Sequence, residues 1–322
     1  MFKKAIIAVA MAAVTGSAMA DVTVGGKVEQ QQRKNEAGEW SGWSDVRLTV
    51  SGSEDLGNGM SGFFKFQEEI GLRSGAGAQQ YDQLVGLKSG AGTLIMGKVE
   101  DFTESKVMSM TDKTMGANGV EIGANLGRNE GAIAYVSPSF SGLTVGVAGY
   151  ALSASGGDQD AFDAVDLGLM YSNGPLSVNV AFENDKRAAT AATAATAAFD
   201  SGDSTSIGAS YAAGDLTVAA TQQMTSYDTA GKADEDDTSI AVTYNMGNNK
   251  VVVGWNDNET SAGATVTDTN SNVIELQHSF SKTTAAYVQF YNTDVAAGDT
   301  TSFGLQHRSE ERRVGKECRS RW

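Results

Sequence analysis

Across residues 165–182 the sequence reads VDLGLMYSNGPLSVNVAF. Val165, Leu167, Leu169 and Tyr171 take every second position, with Asp166, Gly168, Met170 and Ser172 between them. After Ser-Asn-Gly-Pro the alternation resumes at Leu176, Val178, Val180 and Phe182. A period of two gathers the apolar side chains of a strand on one face, so the segment predicts a hairpin with one apolar and one polar face and a tight turn. The pattern recurs along the chain. Candidate strands begin near Val22, Ser44, Met60, Tyr81, Gly92, Glu130, Gly142, Asp163, Pro175, Asp203, Asp215, Asp236, Asn248, Asn270, Lys282 and Thr300, an even set of sixteen.

The connections alternate in length. Ser137–Ser141, Ser172–Gly174, Ala212–Gly214, Asn245–Asn248 and Ser281–Thr283 are short; Ala151–Phe162, Asn184–Gly202, Ser226–Glu235, Asn258–Thr269 and Thr293–Asp299 are longer. One end of the sheet is trimmed and the other decorated, as in an up-and-down meander closed into a transmembrane β-barrel. The faces agree. Val46, Leu48 and Val50 alternate with Asp45, Arg47 and Thr49, and Ile240, Val242 and Tyr244 with Ser239, Ala241 and Thr243. The apolar faces hold no Lys or Arg, each of which costs roughly 2–4 kcal/mol against lipid at the bilayer midplane. The expected fold class is therefore all-β, a 16-stranded antiparallel transmembrane β-barrel with lipid outside and water within. Glu68 and His278 break the parity of their strands, which suits a bulge, a strand end or a subunit contact.

Composition supports this picture: 38 glycines and two prolines in 322 residues, with no block of apolar residues long enough for a membrane helix after the first twenty positions. Those twenty, MFKKAIIAVAMAAVTGSAMA, have two lysines, an apolar run and a small-residue close, and predict a secretory signal peptide cleaved after Ala20. The other end, RSEERRVGKECRSRW from Arg308 to Trp322, shares neither composition nor period with what precedes it and holds the only cysteine, Cys318. It resembles, residue for residue, the translation of a sequencing adapter beginning AGATCGGAAGAGC. On that reading the domains are a signal peptide over 1–20, a barrel over 21–308 and a non-native tail over 309–322. An exported chain without cysteine in its body draws its stability from a closed hydrogen-bonded structure rather than from disulfides. The net charge of −15 argues against a nucleic-acid partner. Acidic runs such as Asp234–Asp237 fall within the expected long connections, where they read either as simple solvated charge or as groups that divalent cations bridge to lipopolysaccharide. The Ala-Thr repeat Ala188–Ala198 reads as a flexible loop.

Four stretches carry a family resemblance. GSEDLGNGMSGFFKFQEEI (Gly52–Ile70), VGLKSGAGTLIMGK (Val85–Lys98), AYVSPSFSGLTVG (Ala134–Gly146) and HSFSKTTAAY (His278–Tyr287) resemble turns and strands of the general porins of Gram-negative outer membranes. The resemblance implies an outer-membrane homotrimer that passes small hydrophilic solutes and ions, with the third loop, here about Val99–Leu126, folded inward as an eyelet. In an eyelet, carboxylates on the loop face basic side chains on the wall and set a transverse field. By position Arg47, Lys27 and Arg128 match basic wall residues, and Asp112 and Glu121 are the acidic candidates on the loop. Two departures stand out. The family's fourth-strand arginine is missing from Gln79–Gln83, which favours cations, and the closing strand GLQHR lacks the usual terminal phenylalanine, with Ser at 309. Phe303, Leu305 and His307 share the outward parity of that position.

Other classes fit less well. Two histidines, His278 and His307, offer no partnered catalytic pair, and no metal-ligand cluster, phosphate loop or nucleophile elbow stands out, so neither an enzyme nor a cofactor is expected. A sugar-specific channel would carry an aromatic ladder along its lumen, and inward aromatics such as Phe63 are few. A secreted adhesin would lack the even strand count and alternating connections.

Overall fold

The computed structural model describes residues 21–70, 79–123, 126–151, 161–186, 202–228, 232–262, 265–296, 298–309 and 312–314. Sixteen antiparallel strands form the wall: β1 (Asp21–Asn35), β2 (Trp40–Gly57), β3 (Met60–Glu69), β4 (Gln79–Ser89), β5 (Gly92–Glu100), β6 (Arg128–Val136), β7 (Leu143–Tyr150), β8 (Ala164–Asn173), β9 (Leu176–Asp185), β10 (Gly202–Ala213), β11 (Leu216–Tyr227), β12 (Asp234–Met246), β13 (Asn249–Ala262), β14 (Thr265–Ser279), β15 (Thr284–Thr293) and β16 (Thr300–Arg308). Each pairs with its sequence neighbours, and β16 returns to β1 through the register Lys27↔Arg308 to Asn35↔Thr300, so the ring is closed. Closure removes the unpaired edges that an open sheet would expose.

Burial along the strands is the inverse of that in a soluble protein. Glu29, Gln31, Asp45, Asp166, Glu183, Ser206, Glu275 and Gln289 are buried, whereas Val85, Leu94, Ile133, Val147, Ile207, Ile274 and Leu305 are exposed. The enclosed face is polar and the outer face apolar. At the seam Trp40 and Phe303 meet edge to face on that outer side, with ring centroids 6.0 Å apart.

The sequence expectation fails at two places. Asn258–Thr269 is not a long connection: β13 and β14 run on through it, pairing Glu259 with Asp268 and Ala262 with Thr265. The threonines at 260, 265, 267 and 269 suit a strand, and the lack of an apolar stripe there hid the pairing. Asp234–Asp237 is likewise the first part of β12 rather than loop. Asp237 turns to the enclosed face, where it accepts the Asn258 side-chain amide at 2.8 Å. The seam continues past β16. Ser309 hydrogen-bonds Gly26 through its backbone N–H at 2.9 Å, and a short strand β17 (Arg312–Val314) pairs with Val22–Val24. The start of β1 extends beyond the reach of β16, and its free backbone groups on that side take up the following segment.

Glu68 stands where the β3–β4 register slips between Phe66 and Glu68, and His278 stands at the end of β14, hydrogen-bonded to Asn249 at 2.8 Å. The Ala188–Ala198 repeat and residues 1–20 lie outside the described residues.

Candidate functional site

The longest described departure from the wall is the connection between Glu100 and Arg128. It begins with a helical segment, Thr103–Val107 followed by the single turn Met108–Met110. Its apolar side chains Phe102, Val107, Ile122 and Leu126 form one cluster with Ala132, Ala134, Ala148, Ala164 and Ala181. Burying each large side chain contributes roughly 1.5–3 kcal/mol. The wall makes room by being small. A Cβ on Gly168 would stand 2.7 Å from the Phe102 ring, and one on Gly254 would stand 2.3 Å from Val120.

Polar anchors complete the seat. Asp166 accepts the Phe102 N–H at 2.6 Å and Glu183 the Leu126 N–H at 3.3 Å. Asp101, itself buried, accepts the Glu104 N–H at 2.6 Å and also that of Gly127, tying the two ends of the connection together. Burial, then the charge of Glu183, pushes the Asp101 carboxyl well above the usual carboxylate range. Farther along, Thr103 meets Ser206 on β10 at 3.1 Å and Thr111 meets Thr221 on β11 at 3.2 Å. Asp237 accepts the Gly123 N–H at 3.2 Å. Glu275 on β14 accepts the Met115 and Gly116 N–H groups at 2.7 and 2.9 Å, and Asn118 donates to Thr300 on β16 at 2.7 Å. All these partners lie on the polar face.

The predicted basic wall residues come together on that face at the other side of the ring, and each is bonded to acids of the same wall. Lys27 reaches Asp45 at 2.5 Å and Glu29 at 3.4 Å. Arg47 holds Asp45 at 3.0 Å and Glu69 at 3.5 Å. Arg128 bonds Asp82 at 3.2 Å, Glu100, and Glu104 of the helical segment at 3.0 Å. Arg128 therefore grips the root of the connection instead of facing it across a gap. Between the two arginines stands Tyr81, its ring 4.2 Å from the Arg47 guanidinium carbon and 4.3 Å from that of Arg128, with the Arg47 guanidinium donating to its hydroxyl at 2.9 Å. An aromatic ring thus separates the two guanidinium groups, where each gains a cation–π contact.

The acidic candidates Asp112 and Glu121 also come together, with Glu100 and Glu104, around a cleft of about 210 Å³. Loss of hydration raises the Asp112 carboxyl, and the charges of Lys113, Lys27 and Arg47 work against the rise. Burial and the charge of Asp112 raise Glu121, one of whose carboxylate oxygens is enclosed without a hydrogen-bond partner. Sequence reasoning missed Tyr81, Glu275 and two lysines of the connection, Lys106 and Lys113. Parity argued against Tyr81, which alternates in step with exposed Val85; the slip in register between Phe66 and Glu68 turns it inward. Lys106 lies in the helical segment and Lys113 beyond its last turn, so no helical spacing announced the pair. Among the described residues no group of His, Cys, Asp or Glu is arranged to hold a metal ion.

The sequence pattern of the Gram-negative porins matches residues 7–298. The chain belongs to that family. As a Gram-negative porin it is an outer-membrane protein. An outer membrane porin protein of Bordetella pertussis is 29% identical over 161 residues, a match spanning 42% of this chain and 41% of that protein. Solved porin structures share the fold. OmpF of Salmonella typhi, in complex with daunomycin, superposes with a TM-score of 0.74 at 14% identity, over 89% of this chain and 97% of that one. An anion-selective porin from Comamonas acidovorans gives 0.70 at 21%, over 90% and 100%. The trimer form of OmpT from Vibrio cholerae gives 0.68 at 16%, over 90% and 98%.

Proposed function

We propose that this porin forms a water-filled passage through which small hydrophilic solutes and ions diffuse passively, with no chemical step, and that residues 101–127 narrow it. The observation that carries this reading is the inverted wall: a closed ring whose enclosed face is polar and charged while its outer face is apolar. Residues 1–20 act as the export signal, the barrel occupies 21–308, and the segment after it is foreign to the family pattern.

The passage prefers cations. Lys27, Arg47 and Arg128 spend their charge on neighbouring carboxylates, while among the described residues Asp112 and Glu121 have no ion-pair partner. A narrow path lined by uncompensated carboxylates concentrates cations and repels anions. The protein works as a homotrimer. On the outer face of β1–β4, Gln30 pairs with Ser44 and Glu68 with Gln80, which interrupts the apolar belt, and a second copy covers this patch better than lipid. Exposed acids such as Asp234 and Asp236 at the long-loop end meet divalent cations and lipopolysaccharide.

Planar-bilayer recording tests both statements. Stepwise conductance closing in three equal levels, with a reversal potential in a salt gradient on the cation side, is the expected result. A protein that inserts without conducting overturns the channel, and a reversal potential on the anion side overturns the preference.

A further inference from the structure

The connection between Glu100 and Arg128 presents its carboxylates to one cleft and its lysines to another. Lys106 and Lys113 line a separate cavity of about 260 Å³ together with Ser172, Ser177, Ser210 and Thr217 of the wall. The wall side is a built row: Ser172 of β8 pairs directly with Ser177 of β9, and Ser177 with Ser210 of β10, so three inward hydroxyls lie side by side across adjacent strands. Ser172 and Ser177 are 3.2 Å apart, oxygen to oxygen. Directly paired residues on one face sit about 4.5–5.5 Å apart at Cβ, a spacing nearer to that of hydroxyls on alternate carbons of a polyol than of neighbouring ones.

The charge of the cavity is offset only from outside its lining, by Asp112 next to Lys113, whose ammonium also donates to the Ser109 carbonyl. No carboxylate lines it. Among the described residues neither lysine is within ion-pair distance of an acid, in contrast to Lys27, Arg47, Lys65 and Arg128. The segment is also held rigid beneath these side chains. Asn179 donates to the Lys106 carbonyl at 2.7 Å, while Lys250 and Gln277 approach the Lys113 carbonyl at 3.4 and 3.2 Å. Two ammonium groups on a fixed backbone, facing a line of hydroxyls, offer charge-assisted hydrogen bonds to a phosphate and neutral ones to the carbon chain bearing it.

We propose that this cavity is a subsite for a small phosphorylated polyol of monosaccharide size, held by its phosphate on Lys106 and Lys113 and by its hydroxyls on the Ser172–Ser177–Ser210 row. It lies near the rim of short turns, since Ser172 and Ser177 flank the β8–β9 turn and Thr217 opens β11. In porin topology that rim faces the periplasm. The subsite therefore retains such solutes on the inner side of the narrowing, beyond the acidic cleft that cations cross. The inference rests on the channel reading.

The test uses the full-length protein in a planar bilayer, with glucose 6-phosphate as the probe and glucose and inorganic phosphate as controls. Glucose 6-phosphate is expected to interrupt the ion current reversibly, more strongly from one side of the bilayer, with glucose without effect. In Lys106→Gln/Lys113→Gln the half-blocking concentration should rise about tenfold or more, the scale of losing a charge-assisted contact. Ser177→Ala/Ser210→Ala should weaken block by glucose 6-phosphate and leave that by inorganic phosphate unchanged. A conducting parent that glucose 6-phosphate never blocks, or block of equal strength in conducting lysine variants, overturns the subsite and leaves the channel standing. A protein that shows no conductance overturns both.

Discussion

Strands β1–β4 and strands β6–β12 share one outward pattern of apolar residues, yet their inward positions differ in kind. The first arc points Lys27, Glu29, Asp45, Arg47, Lys65 and Asp82 into the ring, and they neutralise one another at distances of 2.5–3.4 Å. The second arc presents fully buried Ala132, Ala148, Ala181, Ala219 and Ala241, with the 101–127 segment packed against it. In a wall of fixed diameter, inward side-chain volume decides where a second layer of chain fits and where a path stays open. Long charged residues keep their side open and hydrated. Small ones surrender theirs to the loop. The contrast also explains why the basic side chains do not set up a simple field against the loop: acids of their own arc already hold them.

The harshest break of this contrast is to remove the second layer. Replacing residues 103–125 with a short Gly-Ser linker should roughly double the single-channel conductance or more, because the vacated half of the ring then conducts like the first. Unchanged conductance would mean that the loop does not narrow the path. A milder break is Glu275→Ala, which strips the acceptor from the Met115 and Gly116 N–H groups. Unsatisfied buried donors cost roughly 1–3 kcal/mol each. The tip should loosen, giving frequent brief closures and protease cleavage within 101–127, while the melting temperature of the barrel stays put. A fall in that temperature would instead mark Glu275 as a wall residue.

The smallest effect sharpens the contrast instead of breaking it. Asp112→Asn with Glu121→Gln should move the reversal potential toward the anion side at neutral pH. Acidification should do the same in the parent. Both carboxyls are raised, so as pH falls they take up protons, and lose their negative charge, above the pH of about 4 at which ordinary carboxylates titrate. Cation preference should therefore fade in mild acid, and the double variant should be flat over the same range. A variant that keeps the parental pH dependence would assign the charge to other groups.

Much of this was legible in the sequence. Period-two alternation exposed the wall, and strands begin within a few residues of their expected starts because apolar residues facing lipid leave a regular imprint. Where the wall projects beyond that apolar band, as at Asn258–Thr269 and Asp234–Asp237, both faces are polar and the imprint disappears. At the site, parity placed Arg47 and Lys27 on the inner face and the family resemblance placed Arg128 there, but pairing partners such as Asp82 or Glu104 depend on register and on the course of the 101–127 connection. Tyr81 was passed over because an aromatic standing where the family has arginine reads as a loss of charge. Its role as a spacer emerges only when both guanidinium groups are placed against its ring. The lysines of the connection, Lys106 and Lys113, were hidden by the expectation that an eyelet loop is acidic.

The seating of the loop also bears on the order in which the chain can assemble. Its root contacts partners 64 and 57 residues away, Asp166 and Glu183, whereas its tip reaches Glu275 and Thr300 across 160 and 182 residues. The ring itself shuts only when Glu29 meets Gln306, 277 residues apart. Chain-closure entropy grows with separation, and distant contacts form late. These separations favour an order in which the root beds among the middle hairpins while the wall is still an open sheet and the tip docks as the last strands arrive. In that order the inner layer goes in before the outer one closes around it, and no finished barrel has to swallow its own loop.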